Sequence, residues 1–244
     1  MKKTISIFMC ILSVVGVLEF SFPKVFASAE TLIVEGMSEV STAFVNDETL
    51  YTTENFVEEN EQGFVFERDI PLETPDRLRS QSTQSFRKES VMLIPKDEEA
   101  AANIRAIVHG SHPMETLDNS LSCKLYSTYN YAITSGYSFW DYYYFTSAIT
   151  GGYQMKDPHG TIVTGHSVFL TATGTSANDG CVIVQDDEWT YSASQKTWSV
   201  TAPSGWHAVS TDTPLNGTFG VRYNVQLKRT ANGYTWEGVL LNYL

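Results

Sequence analysis

Cysteine is scarce in this chain. Of three cysteines in 244 residues, only Cys123 and Cys181 lie beyond the N-terminal leader described below. A pair cannot make a disulfide-dense scaffold, but it allows one intramolecular bridge. Positive charge is also thin, with 16 Lys and Arg against 28 Asp and Glu, a net charge of −12. No basic stripe or cluster stands out, so nucleic acid is not an expected partner. After residue 29 no stretch is apolar enough to cross a membrane as a helix. There is no internal repeat of fixed period, and no motif set names a family.

The N-terminus supplies what the rest lacks. Lys2 and Lys3 precede an apolar run over residues 4–22, and Ala27, Ser28 and Ala29 offer the small residues of a cleavage site. This pattern predicts a signal peptide at residues 1–29. Glu19 and Pro23 interrupt the run and argue against a membrane anchor. Cys10 lacks the preceding small residues of a lipid-attachment site. The predicted product is therefore secreted and extracellular. In that oxidising setting Cys123 and Cys181 are expected to form a disulfide, worth roughly 4 kcal/mol through loop-closure entropy.

Charge and aromatics divide the remainder. Residues 30–118 carry 19 acidic and 7 basic side chains, whereas residues 119–244 carry 8 and 6. All five Trp and twelve of the thirteen Tyr follow residue 119. Residues 30–118 are predicted to be an acidic, partly disordered lead-in or prosegment. Its polar runs at 58–62 and 80–85 have no helical or strand period. Within it, residues 63–66 predict one short strand. Residues 97–108 predict a helix, with acids at the start and Ala100, Ile104 and Ile107 or Val108 on one face.

Residues 119–244 read as an antiparallel β domain. Leu121, Cys123, Leu125, Tyr129, Tyr131 and Ile133 alternate with polar residues, the period of a half-buried strand. Residues 137–145 predict a second, aromatic strand and residues 162–172 a third, with Gly151 and Gly152 marking a break between them. The apolar run 181–184 predicts a strand covered on both faces. Further strands carry Trp189 and Tyr191, Trp198 and Val200, and Trp206 to Val209. Phe219, Val221, Tyr223, Val225 and Leu227 begin a final hairpin, for which Asn232 and Gly233 suggest a two-residue type I′ turn. That turn would pair Leu227 with Gly238, Val225 with Leu240 and Tyr223 with Asn242. The expected fold is mainly β. It is an antiparallel β-sandwich or small barrel in the C-terminal half, preceded by a weakly ordered acidic segment with one short helix.

Chemistry-bearing patterns are sparse. His109 and His112 have an H-x-x-H spacing in a Gly/Pro loop, and His159, His166 and His207 are read as ordinary surface or turn residues, not zinc ligands. Thr164 to Ser167 lacks the G-x-S-x-G elbow of a serine hydrolase. Asp186, Asp187 and Glu188 are read as a solvated turn rather than a calcium loop. Asp141 shares the parity of Phe139 and Phe145, which places an acid on the apparently buried face. No metal and no cofactor is expected, and no catalytic residue is assigned.

The remaining feature is aromatic. Trp140, Tyr142 and Tyr144 share one face of their strand, and an exposed row there would suit sugar rings or protein. The sequence thus predicts a secreted, non-enzymatic binding protein for a cell-envelope glycan or another surface component. An alternative is a toxin or bacteriocin-like protein that acts on a membrane surface after losing its acidic prosegment. A secreted hydrolase is the weakest reading.

Overall fold

The structure, a computed structural model, describes residues 42–72, 83–111, 113–135, 140–212 and 217–244. The proposed leader, His112, Tyr137 and Phe139 lie outside these residues. All the described residues fall in one compact unit.

The long alternating segment forms β4 (Leu121–Ser135), around which the rest is laid. Before it come β1 (Phe56–Asn60), β2 (Gly63–Leu72), β3 (Thr83–Pro95) and α1 (Glu98–Val108). After it come β5 (Asp141–Phe145), β6 (Ile149–Met155), β7 (Thr161–Ser176), β8 (Val182–Ile183), β9 (Asp186–Ser192), β10 (Thr197–Val200) and β11 (Val209–Ser210). A closing hairpin joins β12 (Thr218–Arg229) to β13 (Thr235–Tyr243). The protein is mainly β and every strand pairing is antiparallel.

The strand order is β1-β2-β3-β4-β5-β11-β7-β12-β13; β6 also pairs with β4 and carries β10, while β8 and β9 pair with β7. Two cores result. In the larger, Cys123, Leu125, Tyr129 and Tyr131 of β4 meet Val221, Tyr223, Val225 and Leu227 of β12. Asn242 of β13 reaches across this interior, its Nδ2 donating to Ser127 Oγ at 2.8 Å. In the smaller core, Tyr126 on the opposite face of β4 meets Phe44, Val45 and Leu50 from residues 42–51, and Ile104 and Val108 of α1. Leu121 belongs to this second core, not to the parity of Cys123. A bulge where Ile94 faces Cys123 but Pro95 faces Leu121 switches its side of the strand.

The acidic stretch supplies β1, β2, β3 and α1, and β3 pairs with β4 across the compositional boundary. Residues 58–60 of the polar run at 58–62 are the end of β1, and residues 83–85 open β3. Strand period is hidden in β2 and β3 because both faces are buried: Phe64, Val65 and Phe66 in one, Val91 to Ile94 in the other. Their charges pair locally. Lys88 Nζ lies 2.9 Å from Glu67 and Arg68 Nε 2.7 Å from Glu89. Helix α1 begins where expected, because Asp97 Oδ1 accepts from Ala100 N at 2.9 Å.

Several expectations change. The final hairpin pairs Leu227 with Trp236, Val225 with Gly238 and Tyr223 with Leu240. Arg229 N donates to Tyr234 O at 2.8 Å, so the loop holds residues 230–233, with Gly233 at φ 72°. This register differs from the predicted one by two residues, which leaves every side chain on its predicted face. The hydrophobic pattern is therefore indifferent to the slip, and the turn decides it.

Gly151 and Gly152 are not a break but part of β6. A Cβ on Gly151 would fall 2.3 Å from the Trp198 ring and 2.4 Å from Tyr126 O, so only glycine lets β10 lie this close. Residues 181–184 are not covered on both faces. Their strand, β8, pairs only with β7, and Val184 is 71% exposed. Cys123 and Cys181 are both free thiols, the first buried in the larger core and the second exposed beyond the end of β7, so the expected bridge is not made.

Candidate functional site

Three distant segments meet at a cleft of about 690 Å³: the β1–β2 turn, the chain from the end of β3 into α1, and the tip of the β12–β13 hairpin. The turn is tight because Asn60 Oδ1 accepts from Gln62 N at 2.9 Å and Gly63 N at 3.1 Å. A Cβ at Gly63 would lie 2.1 Å from Leu93 O, so that position admits only glycine.

Side chains then tie the walls together. Gln62 Oε1 accepts from Val239 N at 2.8 Å, which satisfies a donor on the free edge of β13. Arg229 Nη2 donates to Lys96 O at 3.1 Å and fixes the hairpin tip to the approach of α1. Arg105 Nε donates to Glu59 at 2.8 Å, and its Nη1 reaches Glu98 at 3.3 Å. These ion pairs hold the Arg105 guanidinium firmly charged, with Glu59 the main cause.

The hairpin brings an aromatic pair into this frame. Trp236 is on the core-facing parity of β13 and packs against the larger core. Tyr234 continues the same parity past the strand end. Its N donates to Asn232 Oδ1 at 3.0 Å, and its side chain is 61% exposed. The two rings stack with centroids 6.0 Å apart and planes at 17°, while the Arg229 guanidinium sits 5.5 Å over Trp236. The indole is thus in contact with both a cation and a phenol, and Tyr234 offers flat apolar area with a polar tip. Glu61 lines the cleft as an exposed carboxylate without an ion pair among the described residues, whereas Glu237 borders it but leaves β13 on the face opposite to Trp236. Such a site can stack a flat ring and accept hydrogen bonds from its substituents.

The predicted aromatic row does not form a single exposed surface. Trp140 is 39% exposed, but Tyr142 is buried and Tyr144 half-buried. The other parity behaves as expected, with Phe145 stacked on Phe219 at 4.3 Å in the core. Asp141, placed on the buried face by parity, is exposed at the start of β5, where the strand has not yet entered the core. Asp187 turns back on its own chain, accepting from Glu188 N at 3.0 Å as β9 begins. Among the described residues no group of three or more His, Cys, Asp or Glu could hold a metal ion.

The histidines separate. His109, His159 and His207 are exposed, but His166 is buried in β7. Its Nε2 is 2.6 Å from Gln195 O, and because a carbonyl only accepts, the proton is on Nε2. Its Nδ1 therefore accepts from Tyr223 OH, at 3.2 Å. The ring stacks on Tyr191 at 5.3 Å, and burial lowers its pKa against the opposing pull of the Gln195 and Ser192 carbonyls. His166 thus anchors the β9–β10 connection to the core in its neutral form. Burial likewise pushes the Cys123 thiol far above its ordinary value, which disqualifies it as a nucleophile.

Tyr234 and Trp236 carried a local signal: two aromatics of one parity directly after a turn. Their partners in the cleft, Glu61 and Lys96, are too far away in sequence to be foreseen. No family model, no curated protein and no solved structure matches this chain.

Proposed function

We propose that this chain is an exported, non-enzymatic binding protein, built as a β-sandwich, that takes a cell-envelope glycan into the Tyr234–Trp236 cleft. The stacked, partly exposed aromatic pair inside a concave site carries this reading. A sugar ring presents a flat C–H face for Tyr234 and hydroxyls for the surrounding carboxylates and carbonyls, the mixture that ligand clefts use for orientation. Export rests on the leader pattern at residues 1–29. The walls are tied through Gln62, Arg105 and Arg229, so the site is largely preformed and the ordering cost of binding is low.

The test is titration of the full chain with soluble envelope-glycan fragments, followed by tryptophan fluorescence. Tyr234→Ala is expected to weaken binding roughly tenfold or more, the loss of a well-packed aromatic anchor. Trp140→Ala should leave affinity unchanged. Full affinity in a correctly folded Tyr234→Ala protein would remove the cleft as the site.

A further inference from the structure

We infer that the free edge of β13 is a docking site for an extended, basic peptide segment of a partner protein, which adds a strand there. This surface is separate from the Tyr234 platform and does not depend on the glycan reading. Strand β13 pairs with β12 alone among the described strands. Arg229 N donates to Tyr234 O and Leu244 N donates to Phe219 O, so the even-numbered positions of β13 point into the hairpin. Glu237, Val239, Leu241 and Tyr243 therefore turn their N–H and C=O away from β12. Gln62 Oε1 takes the Val239 N–H. Leu241 and Tyr243 keep backbone donors and acceptors that no strand receives among the described residues.

The strand path has two ends, and only one is defended. At β1 the register breaks between Phe56 and Glu58, and Glu58 and Glu59 are exposed, features that discourage strand addition. From Gly238 to Tyr243 the β13 edge has no bulge, proline or charge, and Leu241 is 46% exposed. A groove of about 310 Å³ lies beside it, where Val65, Val239 and Leu241 meet Glu58 and Glu61. The unreceived ladder groups call for a peptide backbone, and the apolar lining suits valine-like side chains at alternate positions. The described lining holds exposed carboxylates and no basic residue, which favours lysine or arginine between those positions. A second copy of the chain would bring the same acids and a net charge of −12 to the contact, and is disfavoured.

The probes are short synthetic peptides of equal length: alternating valine and lysine, the same peptide with an N-methylated backbone, and alternating valine and glutamate. Each is titrated against the full chain while amide hydrogen exchange is followed at Leu241 and Tyr243. The valine–lysine peptide should slow exchange at both amides roughly tenfold near saturation, and the other two should leave it unchanged. Leu241→Pro removes an outward N–H that β12 does not use, so the hairpin should persist by circular dichroism while the protection is lost. Leu241→Lys alters only a half-exposed side chain and should weaken the valine–lysine peptide by like-charge repulsion. Unchanged exchange with every peptide would overturn the proposal. Equal binding of the N-methylated peptide, or binding that survives both Leu241 variants, would overturn it as charge attraction without strand addition. Self-association of the chain that Leu241→Pro abolishes would overturn it in favour of a second copy.

Discussion

The two faces of β4 are buried by different means. On one, Leu125, Tyr129 and Tyr131 pack with β12 and β13 in an interior of aliphatic and aromatic side chains. On the other, Tyr126 is accompanied by a buried lysine. Lys124 lies under residues 42–51, with its Nζ 2.8 Å from Asp118 and its ammonium 5.0 Å over the Tyr51 ring. The first face is sealed by strands that follow β4, the second by the acidic stretch that precedes it. A segment that reads as a solvated lead-in is thus the cover of a strand, and its charges are used at the seam. The cleft repeats this arrangement, with one wall from each side of residue 119.

If both faces belong to one cooperative unit, damage to either should lower a single unfolding transition. Leu125→Ala is expected to cost about 4 kcal/mol and Ile104→Ala, in the smaller core, about 3 kcal/mol, since both side chains are fully enclosed. Denaturant melts followed by tryptophan fluorescence and by far-UV circular dichroism should coincide in both variants. A helix signal that melts ahead of the tryptophans in Ile104→Ala would split the two cores.

The polar seam makes a smaller and asymmetric prediction. Asp118→Asn leaves Lys124 with no carboxylate partner and should cost about 1 kcal/mol, given the solvent exposure of Asp118. Lys124→Met should be near neutral, because it removes a buried charge together with its need for a partner. Burial opposes the charge on Asp118, yet the Lys124 and Lys156 ammoniums outweigh it and hold the carboxyl below its usual range. The stability it contributes is therefore complete above the unfolded carboxyl value and is lost as pH falls through the folded one. Chemical melts of wild type and Asp118→Asn across the acid range should converge at low pH. A constant gap would contradict the pairing.

The smallest effect belongs to the other face. His166 is neutral in the fold with a lowered pKa, so the unfolded chain binds its proton first. Stability should be unaffected above about pH 6.5 and should decline as pH falls from there toward the folded value. His166→Phe should remove that part of the slope while Asp118→Asn leaves it, which denaturant midpoints across mildly acidic pH would measure. An unchanged slope in His166→Phe would assign the acid sensitivity to other groups.

What could be read in advance follows from physical range. The alternation of β4 from Cys123 onward, that of β12 and the acid-led helix α1 are local, and they appear in the structure close to where the sequence placed them. The slip of the last hairpin escaped because a shift of two residues preserves the face of every side chain. Residues 88–94 escaped because burial on both faces and pairs such as Glu67 with Lys88 erase the polar–apolar rhythm, and residues 58–60 because β1 is exposed there and has no apolar face to mark it. Tyr142 and Val184 were misplaced for a common reason, since strand parity alone does not reveal which strands receive a second layer. The cleft escaped because Gln62 and Val239, whose hydrogen bond closes it, are widely separated along the chain.

The central claim is that residues 42–118 are a working part of the protein, one cover of β4 and one wall of the cleft. It is tested most directly by the intact mass of the protein recovered from the medium of its native host. The expected mass is that of a chain beginning at Glu30, with β1, β2, β3 and α1 retained. A mature protein beginning at Lys88 or beyond would lack β1 and β2 and the Gln62 wall, and would contradict the account.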